Sequence, residues 1–208
     1  EKYMTTNRFS TTTIGWVALG TGVLVILAVI FLILMYSVSI SFGAVNDVLN
    51  FVFGISSAVL ASMLYIEQRV KPPLISLVTL ALAVIGAIIS IVGSILILYG
   101  FTDFFLAGLY SAFGNALIGL WLMAFCYSMQ RTDMFPRPLI LCGFVVGAFM
   151  ALGLIAIPGI LAKIDSMESM APYLYLALFG WLGTYLLYPV WTIWLGRTLL
   201  IQSQAPIH

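Results

Sequence analysis

Residues 104–128 read FFLAGLYSAFGNALIGLWLMAFCYS, a stretch without Asp, Glu, Lys, Arg or His. At about 1.5 Å of rise per residue, such a helix crosses a hydrocarbon core of about 30 Å. Gly108, Ser111, Ala112, Asn115 and Gly119 fall within one arc of about 100° at helical spacing. Small side chains on one face let a second backbone come close, which is how helices associate in lipid. Asn115 lies near the middle of the span, where its amide needs hydrogen-bond partners. The stretch therefore reads as a transmembrane helix inside a bundle, with Asn115 turned toward a neighbour.

The rest of the chain agrees with that reading. Of its 208 residues, 63% are hydrophobic and 7% charged, with a mean hydropathy of +1.17. Soluble domains carry about 25% charged residues, so the charge is too sparse for a soluble fold. Apolar runs recur and predict six helices, at about 14–40, 48–66, 74–98, 104–128, 138–161 and 172–195. The fold expected is all-α: a single polytopic membrane domain over residues 1–208, a six-helix bundle with short loops. The first run is longer than the apolar core of a signal peptide, about 7–15 residues, and reads as a retained helix.

Little chemistry fits the remaining composition. The net charge of +1 leaves no basic face for nucleic acid. His208 is the one histidine, so no internal imidazole is on hand for haem, zinc or a Ser-His-Asp set. Cys126 and Cys142 are too few for a disulfide framework and read as packing thiols. No G-x-S-x-G, H-E-x-x-H, P-loop or C-x-x-C motif occurs. The sequence points to no particular cofactor, and Met167 with Met170 makes too small a set for copper.

Basic residues set the expected orientation. Lys2, Arg8, Arg69, Lys71, Arg131, Arg137 and Arg197 lie on the terminal segments and even-numbered loops, against Lys163 alone on the odd ones. The positive-inside rule then puts both termini in the cytoplasm. Trp16, Trp191 and Trp194 read as headgroup anchors on that side. Asp47, Asp103, Asp165 and Glu168 fall on the outer side, as solvated charges of loops such as 41–47. No ionisable group is then placed inside a span, so a proton-coupled pump or a carrier of charged solutes is not expected.

Packing faces are plentiful. Ala83, Gly86, Ala87, Ser90, Gly93 and Ser94 give the third helix a small-residue face suited to the Phe104 helix, across a short loop. Gly143, Gly147 and Ala151, four apart, form a ladder on the fifth. Further small residues on the second and fifth helices are available to a partner subunit. Pro189 is expected to kink the last helix. Its aromatic row, Trp181, Tyr185, Tyr188, Trp191 and Trp194, reads as an interfacial, lipid-facing belt, or as a surface for an apolar cofactor.

GAFMALGLIAIPGILAKID, with FGWLGTYLLYPVWTIWLGRTLL after it, resembles the C-terminal half of uncharacterised bacterial integral membrane proteins, a domain-of-unknown-function group. The resemblance covers residues 147–200 and rests on Pro158-Gly159 and on the segment from Tyr188-Pro189 to Gly196-Arg197. It implies a bacterial inner membrane and transfers no activity. The function expected is a non-catalytic accessory or scaffolding subunit of a larger membrane complex, binding lipid or an apolar cofactor between its helices. Its partners are then membrane lipids and other membrane subunits. The alternative is a small transporter or channel for a neutral or apolar solute, with Asn115 in its path.

Overall fold

The structure, a computed structural model, describes residues 10–67, 73–130, 132, 134–166 and 168–204. Arg69, Lys71 and Arg131, with Lys2 and Arg8, lie outside the described residues. Six helical stretches are long and apolar enough to cross a membrane, and the described residues contain no strand. The chain is a multi-pass membrane protein. Its helices are α1 (Thr11–Ser37), α2 (Phe42–Glu67), α3 (Pro73–Leu98) and α4 (Phe104–Met129), followed by two interrupted spans. The fifth span is α5 (Arg137–Ala151), a 3-10 segment (Leu152–Ala156) and α6 (Ile157–Leu161). The sixth is α7 (Leu174–Leu182), a π-helical turn (Gly183–Leu187) and α8 (Tyr188–Gln204).

Both interruptions precede a proline in its helix. Pro158 and Pro189 lack the N–H that an α-helix would give to the fourth residue back. The chain absorbs this by tightening into 3-10 geometry before Pro158 and widening into a π turn before Pro189. At Pro189, where a kink is expected, the helix carries a π turn that ends two residues earlier, at Leu187.

The spans form a ring in chain order, closed by α8 against α1. Glycines make the closest approaches. A Cβ on Gly196 would lie 2.7 Å from the carbonyl oxygen of Gly15, and one on Gly147 would lie 2.7 Å from that of Gly119. Gly86 and Gly114 bring the α3 and α4 backbones into direct contact. α4 is the most enclosed span: 67% of its apolar stretch is buried, against 28% for α1.

Two elements hold the end of the bundle where α2 and α4 begin. Gly100, at φ 70°, closes α3 and lets Phe101 N–H reach the Leu96 carbonyl. Lys163, at φ 51°, does the same after α6 and delivers Asp165 to the start of α4. The Asp165 carboxylate accepts from Thr102 Oγ1 at 3.1 Å and from the backbone N–H groups of Asp103 at 3.1 Å and Leu106 at 3.3 Å. Asp165 is thus a helix cap supplied from a distant loop rather than a solvated charge.

Candidate functional site

The second span begins at Phe42, not at residue 48, and this changes the functional picture. Asn46, Asp47 and Asn50 lower the hydropathy of its first turns, so the sequence reads as a loop there. The structure makes those turns helical because the three side chains face protein rather than lipid. Asn46 is 1% exposed, Asn50 7% and Asp47 8%. Asp47 is therefore a buried carboxyl group in the first turns of a candidate span and not a solvated loop charge.

A directed hydrogen-bond chain passes through these turns. Asn46 Nδ2 donates to the Ala28 carbonyl of α1 at 2.8 Å. A carbonyl can only accept, so the amide orientation of Asn46 is fixed and its Oδ1 faces Asn50. Asn50 Nδ2 donates to that oxygen at 3.0 Å, and Tyr185 Oη donates to Asn50 Oδ1 at 3.0 Å. One turn deeper, Tyr188 Oη donates to Ser57 Oγ at 3.4 Å. The π turn widens the helix at Tyr185 and brings both tyrosines toward α2.

Asp47 stands beside this chain without joining it. Its carboxyl group makes no hydrogen bond or ion pair with another described residue. It lines a small cavity shared with Asn46, Asn50, Ser94, Ser111 and Tyr185, which leaves about 20 Å³ for the centre of a water molecule. That is room for about one water, since a single water needs about 10–15 Å³ on this measure. Leu32, Ile97, Phe104 and Trp181 supply the apolar part of its wall. Asn50 lies eight residues into α2, about 12 Å from its start.

Further along the spans, aromatic rings of three helices pack in series. Phe53 meets Tyr188 edge-on at 5.6 Å, Tyr188 lies 6.0 Å from Trp191, and Trp191 meets Phe125 at 6.1 Å. Tyr188 and Trp191 are 0% and 1% exposed. These two members of the predicted belt are core residues, whereas Trp16 and Trp194 do reach the surface.

No family model, curated protein or solved structure matches the chain. The site is therefore read from its own residues.

The residues singled out in α4 and α5 serve several neighbours. Gly108 faces Trp181 of α7, and a Cβ on Gly93 of α3 would meet Ser111 Oγ at 3.3 Å. Gly119 and Gly147 meet each other, while Gly143 packs on Cys126 and Trp191. Asn115 is 2% exposed, and its Oδ1 has no hydrogen-bond partner. Ser90 Oγ and Trp191 Nε1 share that condition. Arg137 and Arg197 are exposed at the opposite end from the cavity. Among the described residues no group of three or more His, Cys, Asp or Glu comes together.

The sequence reading gives Asn46 and Asn50 no role, places Asp47 on a solvated loop and puts Tyr185 in the aromatic row. A signal for the two asparagines is present: Asn46 and Asn50 are four apart, with Ser57 seven further on, one continuous helical face. Nothing local in the sequence signals Tyr185, 135 residues from Asn50.

Proposed function

We propose that this protein is a membrane carrier or channel for a small cation or proton, with Asp47 at its binding site. The observation that carries the reading is the unpaired, 8% exposed carboxyl group of Asp47 lining a polar cavity inside the bundle. A carboxyl group in a membrane interior is costly and is found where ions or protons are handled. The cavity leaves room for about one water-sized body, which with the unpaired carboxyl group favours a small cation over an organic solute or an apolar cofactor. The ring stack of Phe53, Tyr188, Trp191 and Phe125 is a barrier on the far side of the site.

The scaffold reading loses its main support. The small-residue ridges of the second and fifth helices are used within the chain: Gly147 on Gly119, and Gly54 on Ala87 and Ile91. Lipid contacts fall to the exposed apolar faces outside the ring, such as Val190, Ile201 and Leu186.

The basic residues, seven against one, favour both termini in the cytoplasm, and the resemblance of residues 147–200 favours a bacterial inner membrane. The Asp47 cavity then opens toward the outer side. Purified protein in liposomes, given imposed gradients of sodium, potassium or protons, tests the reading. Wild type is expected to move at least one of them, and Asp47→Asn, eluting and melting as a folded protein, is expected to move none. Absence of flux for all three ions, in both gradient directions, overturns it in favour of a structural subunit.

A further inference from the structure

We infer that the Asp47 cavity holds a dehydrated monovalent alkali cation, sodium or potassium, coordinated by protein oxygens. The inference rests on reading that cavity as the transport site and names its substrate class.

Charge comes first. Asp47 contributes one negative charge, and no described Arg or Lys pairs with it. In a low-dielectric interior a monovalent cation cancels that charge, whereas a divalent one leaves an uncompensated positive charge.

Size comes second. About 20 Å³ of room for a water centre admits one water-sized body. An ion that enters leaves its hydration shell behind, and the wall must replace it.

The wall is built to do so. Asn46, Asn50, Ser94, Ser111 and Tyr185, each carrying a neutral oxygen, line the cavity together with Asp47. The hydrogen-bond chain commits one proton each of Tyr185, Asn50 and Asn46 to partners other than the carboxylate. Tyr185 gives its one hydroxyl proton to Asn50, and Asn46 points its amide nitrogen at Ala28. Ser94 gives its proton to the Ser90 carbonyl at 3.4 Å. Each of these oxygens keeps a free lone pair, and Asp47 accepts no hydrogen bond from another described residue. Hard oxygen ligands with no thiolate or imidazole among them suit hard cations rather than copper, zinc or nickel, and among hard cations the single charge of Asp47 favours a monovalent one. A proton would need one acceptor, and this wall offers several more.

Thermal melting of the purified full chain is the test. Sodium or potassium chloride is exchanged for N-methylglucamine chloride at constant ionic strength and pH. A ligand that binds only the folded protein raises its melting temperature with the logarithm of concentration. Wild type is expected to show that rise with at least one of the two ions. Ser111→Ala should shift the half-maximal concentration several-fold upward. Asp47→Asn should abolish the response while melting at or above the cation-free wild type, which shows that it folds. Wild-type melting that ignores both ions overturns the inference, as does an Asp47→Asn variant that keeps the response. Proton flux that persists through such a cation-blind protein leaves the carrier reading intact, and its absence removes both.

Discussion

The hydroxyl of Tyr185 donates to Oδ1 of Asn50 at 3.0 Å, tying the π turn of the last span to the second. Asn50 continues to Asn46, and Asn46 to the Ala28 carbonyl, so three spans are joined by one chain of donors. Its direction is set at the far end, by a backbone carbonyl that cannot donate. The same chain leaves Asp47 without a donor.

Removing the head and the tail of this chain should have unequal effects. Tyr185→Phe deletes one proton and leaves Asn50 Oδ1 with a vacant lone pair. Intramembrane hydrogen bonds average about 0.6 kcal/mol, so a small loss is expected. Asn46→Leu leaves Asn50 Nδ2 without an acceptor and takes the second hydrogen bond from the Ala28 carbonyl, and leaving a buried group unpaired costs about 1–3 kcal/mol. Melting in nanodiscs should show the second variant clearly below the first. Equal losses would mean that the chain does not set the order of these spans.

The six spans were legible because an apolar run of membrane length, repeated six times with so few charges, has no stable home in water. The start of α2 was not, since Asn46, Asp47 and Asn50 lower hydropathy whether they face water or a protein interior. Only tertiary packing separates those cases. Tyr188 and Trp191 fail for the complementary reason: an aromatic side chain at a helix end fits a headgroup belt and a core equally well. Gly114 shows the limit of reading one face. The arc through Gly108, Asn115 and Gly119 includes contacts to α5 and α7, while Gly114, on another face, meets α3.

Gly114→Ala should be among the most damaging small substitutions. Its Cβ would lie 2.7 Å from Ser90 N and 3.1 Å from Ser90 Cβ, and would press on the Gly86 carbonyl. These are mostly backbone atoms, so α3 and α4 must separate, at about 1–3 kcal/mol for overpacking. Gly20→Ala is the control, because a Cβ there meets nothing within 4 Å. It should stay within about 0.5 kcal/mol of wild type. Comparable melting of both variants would contradict the α3–α4 contact.

Orientation is open to direct labelling. In a background with Cys126 and Cys142 replaced by alanine, single cysteines at Ser166 and Thr132 sit on opposite ends of the bundle. A membrane-impermeant thiol reagent on intact cells should label the residue 166 variant and spare the residue 132 variant. The reverse pattern would turn the protein over and place the Asp47 cavity on the cytoplasmic side.

Asn115→Leu makes the sharpest contrast with the chain around Asn50. Both asparagines are buried, at 2% and 7% exposure, but they differ in their partners. Asn50 both gives and receives a hydrogen bond, whereas Asn115 Oδ1 has none. Replacing a paired amide leaves two neighbours unsatisfied, at about 1–3 kcal/mol in a buried setting. Replacing an amide whose oxygen is already unpaired removes a desolvation cost and puts in its place an apolar side chain of similar volume. Asn115→Leu should therefore melt at or above wild type, and Asn50→Leu below it. The two variants should be compared in the same nanodisc preparation, with ion flux measured alongside. An Asn115→Leu protein that melts well below wild type would mean that a buried water or ligand satisfies Oδ1. One that keeps its stability and its flux would place Asn115 outside the ion's path.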